Sequence, residues 1–315
     1  MALDYVTAAY RAGAAYSRTV PRPMAEFTAR GLSRAAASLS KERRMMVARH
    51  LQRAAPHLQG RALDRAVDAT FGSYARYWVD SFRLPKLSVS KVDEHFDVAG
   101  YDYVTDALRG GNGVLLALPH LGGWDWAGFW LTQVQKQKVT VVVEPLEPPA
   151  LFDFFADFRR QLGMNIVPLG PDAGKIVLQA LADNHIVCLL SDRDIRGDGI
   201  ELEFFNEVTT LPAGPATLAM RTGATLLSVG VYFEGKTGHA AVVEPPIDCS
   251  RQGKFRADVT RITTDLARRL EGLIRKAPEQ WHLQQPNWPS DYEALEVIGK
   301  PHPRPPHGPA AKALS

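Results

Sequence analysis

Two side chains of the right kind for proton transfer sit five positions apart in one short stretch. The apolar run Val114–Leu118 ends in Pro119-His120, then come Leu121-Gly122-Gly123 and Trp124-Asp125. An imidazole just past a strand end is a candidate general base, because its proton affinity lies near neutrality. On one continuous helix, residues five apart lie about 140° around the axis and do not face each other. A Gly-Gly turn is freer and could fold Asp125 back onto His120. A carboxylate in the first turn of the following helix is favoured as the anion. It could hold one ring nitrogen and leave the other free as a base. The plainer alternative makes His120 a loop histidine and Asp125 a capping residue.

Other charged groups fall at similar places. Glu144 follows the run Val139–Val143, and Asp192-Arg193-Asp194 follows Ile186–Leu190. Arg159, with Arg160 beside it as an equal candidate, comes late in a helical stretch before Gly163. A guanidinium fork suits bidentate phosphate recognition, so Arg159 or Arg193 could meet a phosphate. Asp192 and Asp194 could order Arg159 or hold acceptor hydroxyls. These residues also fit strand-end surface charges, a charged turn and a helix C-terminal cation. Asp192-x-Asp194 after a strand also matches a metal-dependent glycosyltransferase, in which Mn²⁺ or Mg²⁺ holds a sugar nucleotide diphosphate. Leu211-Pro212-Ala213-Gly214-Pro215-Ala216 leads into a helix start whose N–H groups could receive an anion.

Several chemistries find no residues. The chain lacks Gly-x-Ser-x-Gly and a His-Glu-x2-His zinc site. Neither Cys188 nor Cys249 lies by the motif as a nucleophile, and Cys188, in an apolar run, reads as a buried thiol. Direct transfer without a covalent enzyme intermediate, a metal or a resident cofactor is therefore expected. The cysteines form no ligand-spaced pair, which fits a reducing compartment.

The elements that must position these groups alternate. Strands are expected near 94–99, 113–118, 138–143, 165–168, 186–190, 200–205, 225–233 and 239–243. Helices are expected near 101–109, 124–135, 148–162, 172–183, 213–222 and 256–275. This rhythm predicts an α/β fold with a mostly parallel central sheet flanked by helices. Before it lies an N-terminal helical segment, residues 1–92, with Ser40 as a candidate N-cap. Its longest helix, about 61–82, carries Phe71, Tyr74, Tyr77, Trp78 and Phe82, an aromatic face expected to pack on the sheet. The catalytic core then spans 93–298. Residues 299–315 hold five prolines and are expected to be disordered.

Of the 315 residues, 45% are hydrophobic, enough for a sizeable core. The net charge of +3 is unevenly spread: residues 1–65 carry twelve Lys and Arg against four Asp and Glu. A basic helical segment on a near-neutral body reads as a binder of an anionic membrane surface. A solvated helical face is the bland alternative, and a non-enzymatic surface adaptor the functional one. Nucleic acid is not expected, since no recognised binding motif accompanies the charge. No apolar run approaches the roughly 18 residues of a spanning helix, and Arg11, Arg18 and Arg22 interrupt any signal-peptide core.

His-x4-Asp after an apolar strand resembles the motif of the glycerolipid and lipid A type acyltransferases. The resemblance runs from Phe71 to Trp288. It takes in Tyr74-x2-Tyr77-Trp78, Phe82-Arg83-Leu84-Pro85, Glu144-Pro145-Leu146, Asp192-Arg193-Asp194, Phe204-Phe205 and Gly214-Pro215-Ala216. Within that family the chain is most similar to the phosphatidylinositol mannoside acyltransferases of the bacterial envelope. The resemblance implies an O-acyltransferase with His120 as base and Asp125 orienting it. It implies that Glu144 and Arg159 shape the pocket and that Asp192, Arg193 and Asp194 belong to it. It also implies palmitoyl-coenzyme A as donor, a mannose hydroxyl of a phosphatidylinositol mannoside as acceptor, and a peripheral place on the cytoplasmic face of the inner membrane.

Overall fold

The computed structural model describes residues 5–304. Four helices open the chain: α1 (Tyr5–Thr19), α2 (Arg22–Leu39), α3 (Lys41–Ala54) and α4 (Gly60–Arg83). Ser40 caps α3 as expected, its hydroxyl accepting the N–H of Arg43 at 3.4 Å. A short α5 (Val89–Asp93) leads into the alternating part. There β1 (Phe96–Ala99), α6 (Tyr101–Arg109), β2 (Val114–Leu118), α7 (Trp124–Phe129) and β3 (Val139–Val143) follow in turn, α7 running on through a π-helical turn to Val134. Next come α8 (Pro149–Gln161), β4 (Asn165–Pro168), α9 (Ala173–Ala182) and β5 (Ile186–Leu190). A hairpin, β6 (Ile200–Phe204) and β7 (Glu207–Leu211), precedes α10 (Gly214–Thr222). The chain then runs through β8 (Thr225–Glu234), β9 (Gly238–Val243), α11 (Phe255–Lys276) and α12 (Pro289–Val297).

Seven strands form the central sheet in the order β1-β9-β8-β2-β5-β3-β4, parallel throughout except for the β8–β9 pair. This is the expected mostly parallel sheet. β2 lies inside it and is buried at every position, as a strand covered on both faces must be. Its side chains alternate between two cores. Leu115 and Ala117 join the core under α9, α10 and α11, whereas Val114, Leu116 and Leu118 join the core under α6, α7 and α8. The β6–β7 hairpin is a separate two-stranded sheet, where the sequence suggested one strand of the main series.

The N-terminal helices are tied into the rest of the chain. His50 and Arg49 of α3 bond Asp291 of α12 at 3.3 and 2.6 Å, and Arg53 bonds Glu207 of β7 at 2.8 Å. The aromatic face of α4 packs on helices, not on the sheet: Trp78 and Phe82 meet Tyr10 of α1 and Leu151 and Phe155 of α8. The reason is that α1 and α8 supply the apolar partners, while the strand faces are already covered by α6, α7 and α11. Residues 305–315 of the expected disordered tail lie outside the described residues. Just before them, Arg304 pairs with Glu296 at 2.9 Å. Among the described residues, no helix is long and apolar enough to cross a membrane.

Candidate active site

β2 and β5 are parallel neighbours in the register Leu118↔Leu190. Two residues beyond each strand end, at the edge where open α/β sheets bind ligands, stand His120 and Asp192. The ladder continues past the strands, since Ser191 N–H donates to Leu118 O at 2.9 Å. His120 and Asp192 then meet twice. The imidazole Nδ1 lies 2.7 Å from Asp192 Oδ1, and the backbone N–H of His120 donates to Oδ2 at 3.0 Å. Trp281 Nε1 also donates to Oδ2, at 2.7 Å, and Asn287 Nδ2 donates to the Asp192 carbonyl at 2.9 Å. Asp192 is fully buried. Burial alone would push its carboxyl up, but the facing imidazole and these donors outweigh it and hold the carboxyl below its ordinary value. His120 keeps 32% of its side-chain surface exposed, and Nε2 has no protein partner among the described residues.

Asp125 does not reach the His120 ring. The Gly122-Gly123 turn presses the loop onto the sheet instead of folding it back. Gly122 takes φ +57°, and a Cβ there would lie 2.3 Å from the carbonyl oxygen of Val231 on β8, so close approach of two backbones requires glycine. The loop is further held by a segment after α11: Gly122 N–H donates to Gln280 O at 3.0 Å, and His282 N–H donates to His120 O at 2.7 Å. α7 therefore starts facing α4 and α8. Asp125 accepts the Tyr77 hydroxyl at 2.7 Å and Arg159 Nε at 3.0 Å. Burial first, then the Asp125 charge, raises Tyr77 well above its usual range, so its hydroxyl remains a donor. Burial opposes the charge of Arg159, but Asp125 and Tyr77 outweigh it, and the guanidinium also lies 4.4 Å from the ring of Trp124.

This corrects three expectations. The carboxylate that meets His120 is Asp192, not Asp125. Arg159 is an internal ion pair, 10% exposed, whose fork is spent on Asp125 and Tyr77 and not open to a phosphate. Asp192 and Asp194 do not order Arg159. Of the two adjacent arginines, Arg159 turns inward, while Arg160 pairs with Asp157 at the surface at 2.8 Å. Asp194 holds a loop, accepting the N–H groups of Gly197 and Gly199 at 2.9 and 2.8 Å. Glu144 lies at the same sheet edge, 3.4 Å from Arg193 Nη1.

Trp281, His282 and Asn287 escaped the sequence reading, because they come after a helix and reach the site only through the fold. His282 touches Ser73 Oγ through Nε2 at 2.9 Å. Burial, then the nearby His120, pushes it down to about 3, so it stays neutral. Under α7, one sheet face forms a narrow apolar cavity of about 50 Å³, lined among others by Leu116, Leu118, Trp124, Gly128, Met164 and Cys188. Burial pushes the Cys188 thiol up to about 12, which leaves it unreactive.

The site is a His–Asp pair at the C-terminal edge of a mostly parallel α/β sheet, with an apolar cavity on one sheet face. The profile of the bacterial lipid A biosynthesis acyltransferase family matches residues 2–290, and the chain belongs to this family. It is 41% identical over 231 residues to a phosphatidylinositol mannoside acyltransferase of Mycolicibacterium smegmatis, covering 72% of this chain and 74% of the relative. It is 40% identical over 233 residues to the Mycobacterium tuberculosis protein of the same name, covering 72% of each. The protein is thus an acyltransferase, and the strand-end His-x4-Asp resemblance is borne out at the level of the family.

Proposed function

We propose that the enzyme moves a palmitoyl group from acyl-coenzyme A to a mannose hydroxyl of a phosphatidylinositol mannoside at a membrane surface. The observation that carries the mechanism is the 2.7 Å bond from His120 Nδ1 to a buried Asp192, with Nε2 left unbonded. Asp192 fixes the tautomer that keeps a lone pair on Nε2 and stabilises the imidazolium once formed. Nε2 takes the proton of the acceptor hydroxyl as its oxygen attacks the thioester carbonyl carbon. The C–S bond then breaks, and the imidazolium returns the proton to the departing thiolate. Asp125 serves by holding Arg159 and Tyr77 behind the loop. Glu144, Arg193 and the Asp192–Asp194 loop rim the same edge and fit substrate contacts.

The cavity under α7 supports an acyl chain. At about 50 Å³ it is far smaller than the roughly 300–1,000 Å³ of ordinary ligand pockets, so a long chain must displace lining side chains. Met164, unbranched and adaptable, is suited to give way. The relatives' names support the acceptor. The membrane surface is supported by α1 and α2, which expose Tyr5 at 76%, Phe27 at 83% and Leu39 at 87% beside basic side chains. A place on the cytoplasmic face of the inner membrane fits coenzyme A as donor. The glycosyltransferase reading loses its support: the Asp192 carboxylate is taken up by His120 and Trp281, and that of Asp194 by two backbone N–H groups.

The test is thiol release from palmitoyl-coenzyme A with phosphatidylinositol mannoside as acceptor, with and without EDTA. Release that depends on acceptor and survives EDTA is expected. Metal-dependent sugar transfer would favour the glycosyltransferase, and activity in neither assay would leave the surface adaptor.

A further inference from the structure

An open groove of about 1310 Å³ runs between α2, α4 and the tip of the β8–β9 hairpin. Six cationic and three acidic side chains line it. Most of the charge is already paired. Arg22 binds Glu26 and Asp80, each pair at 3 Å or closer, with distances of 2.8 and 2.9 Å. Arg30 shares Glu26 at 2.8 Å, and Asp68 is taken by Arg44 from outside the groove at 2.7 Å. Arg76 is spent on Asp80 and on the carbonyls of Gly235 and Gly238. Two guanidiniums in the wall, Arg34 and Arg65, are exposed and have no partner among the described residues.

The floor is open as well. Gly31 of α2 and Gly72 of α4 line the groove, and a Cβ on either would meet nothing within 4 Å. Packing therefore does not demand glycine at these two helical positions, although glycine costs about 1 kcal/mol there relative to alanine. Ser73, also in the groove lining, has its hydroxyl 2.9 Å from Nε2 of His282, and His282 is itself bonded to the backbone of His120.

We propose that this groove is a binding subsite for a phosphate ester, gripped by Arg34 and Arg65. The inference rests on the acyltransferase reading, which supplies two phosphate-bearing molecules: coenzyme A and an acceptor with a phosphoinositol headgroup. Guanidinium forks match phosphate oxygens in geometry as well as charge. The internal ion pairs hold the groove walls and leave those two forks free.

The experiment is equilibrium binding, without turnover, of coenzyme A and separately of glycerophosphoinositol to the full chain at low salt. The variants are Arg34→Ala/Arg65→Ala, Gly72→Leu, and Arg11→Ala/Arg61→Ala, which removes the same charge from exposed positions outside the groove. Thermal unfolding checks that each is folded. The wild type should bind at least one probe at millimolar concentration or below. The groove double variant and Gly72→Leu should each weaken that binding by about tenfold or more, and the control double variant by less than about threefold, as screening of exposed charge implies. The probe so affected identifies donor or acceptor as the source of the phosphate. Binding of neither probe overturns the proposal. So does equal weakening in the two double variants, and so does unchanged binding in Gly72→Leu. Because no turnover is read, thiol release by the wild type separates failure here from failure of the acyltransferase reading.

Discussion

Asp125 and Asp192 are both fully buried carboxylates close in sequence or in register to His120, yet their partners give them different tasks. Asp192 meets an imidazole that must gain and lose a proton. Asp125 meets a permanently charged guanidinium. Removing Asp125 therefore leaves Arg159 as a buried charge without its counter-ion, a loss of about 3–5 kcal/mol. Asp125→Ala should lower the thermal midpoint by several degrees as well as the activity, whereas His120→Ala, at a half-buried position, should leave the midpoint near that of the wild type. Calorimetric unfolding of the two variants decides it. Equal midpoints would mean that Asp125 is not the support of Arg159.

At the scale of elements, the strand–loop–helix unit β2–α7 delivers the base, and Gly122 is its tightest point. Gly122→Ala places a Cβ 2.3 Å from Val231 O in a left-handed conformation, which a side chain resists by about 1–2 kcal/mol before the clash is added. The loop should lift from β8. Activity should fall by more than about tenfold and the fold should be destabilised, which turnover and unfolding measured together will show. Much of this unit was legible in the sequence. The apolar run Val114–Leu118 and its glycines mark strand and turn, and β5, Ile186–Leu190, is an equally continuous apolar run. β7 was not legible, because Glu207-Val-Thr-Thr-Leu211 is short and half polar. The partner of His120 was not legible either. Asp192 lies 72 residues away, and only the adjacency of β2 and β5 brings it there. Asp125, near in sequence, is the partner that local spacing suggests. Arg159 was picked out, but its direction depends on α8 packing against α4 and α7.

For the whole molecule, the N-terminal helices both complete the core and face outward. Met46 and Leu51 are buried, and His50 is joined to Asp291, so deleting residues 1–55 would expose core instead of testing membrane attachment. Surface changes are the better test. Tyr5→Ser/Leu32→Ser/Leu39→Ser removes three side chains exposed at 76%, 67% and 87%. Inserting each apolar side chain is worth up to about 1.5–3 kcal/mol, so binding to anionic vesicles should weaken by about tenfold or more. Sedimentation with vesicles measures it, and undiminished binding would place the attachment elsewhere. High salt should weaken the wild type further, because each nearby Lys or Arg contributes about 1 kcal/mol at an anionic surface.

The central claim is that His120 and Asp192 act as one unit. It is tested most directly by the rate of thiol release from palmitoyl-coenzyme A, with acceptor lipid, in His120→Ala, Asp192→Asn and the double variant. His120→Ala should lose about 10²- to 10⁴-fold. Asp192→Asn should also lose most of the rate, because an amide cannot stabilise the imidazolium and favours the wrong tautomer. The double variant should be little worse than His120→Ala alone. A folded Asp192→Asn enzyme with near-normal turnover, or a double variant whose loss is the product of the two single losses, would contradict the account.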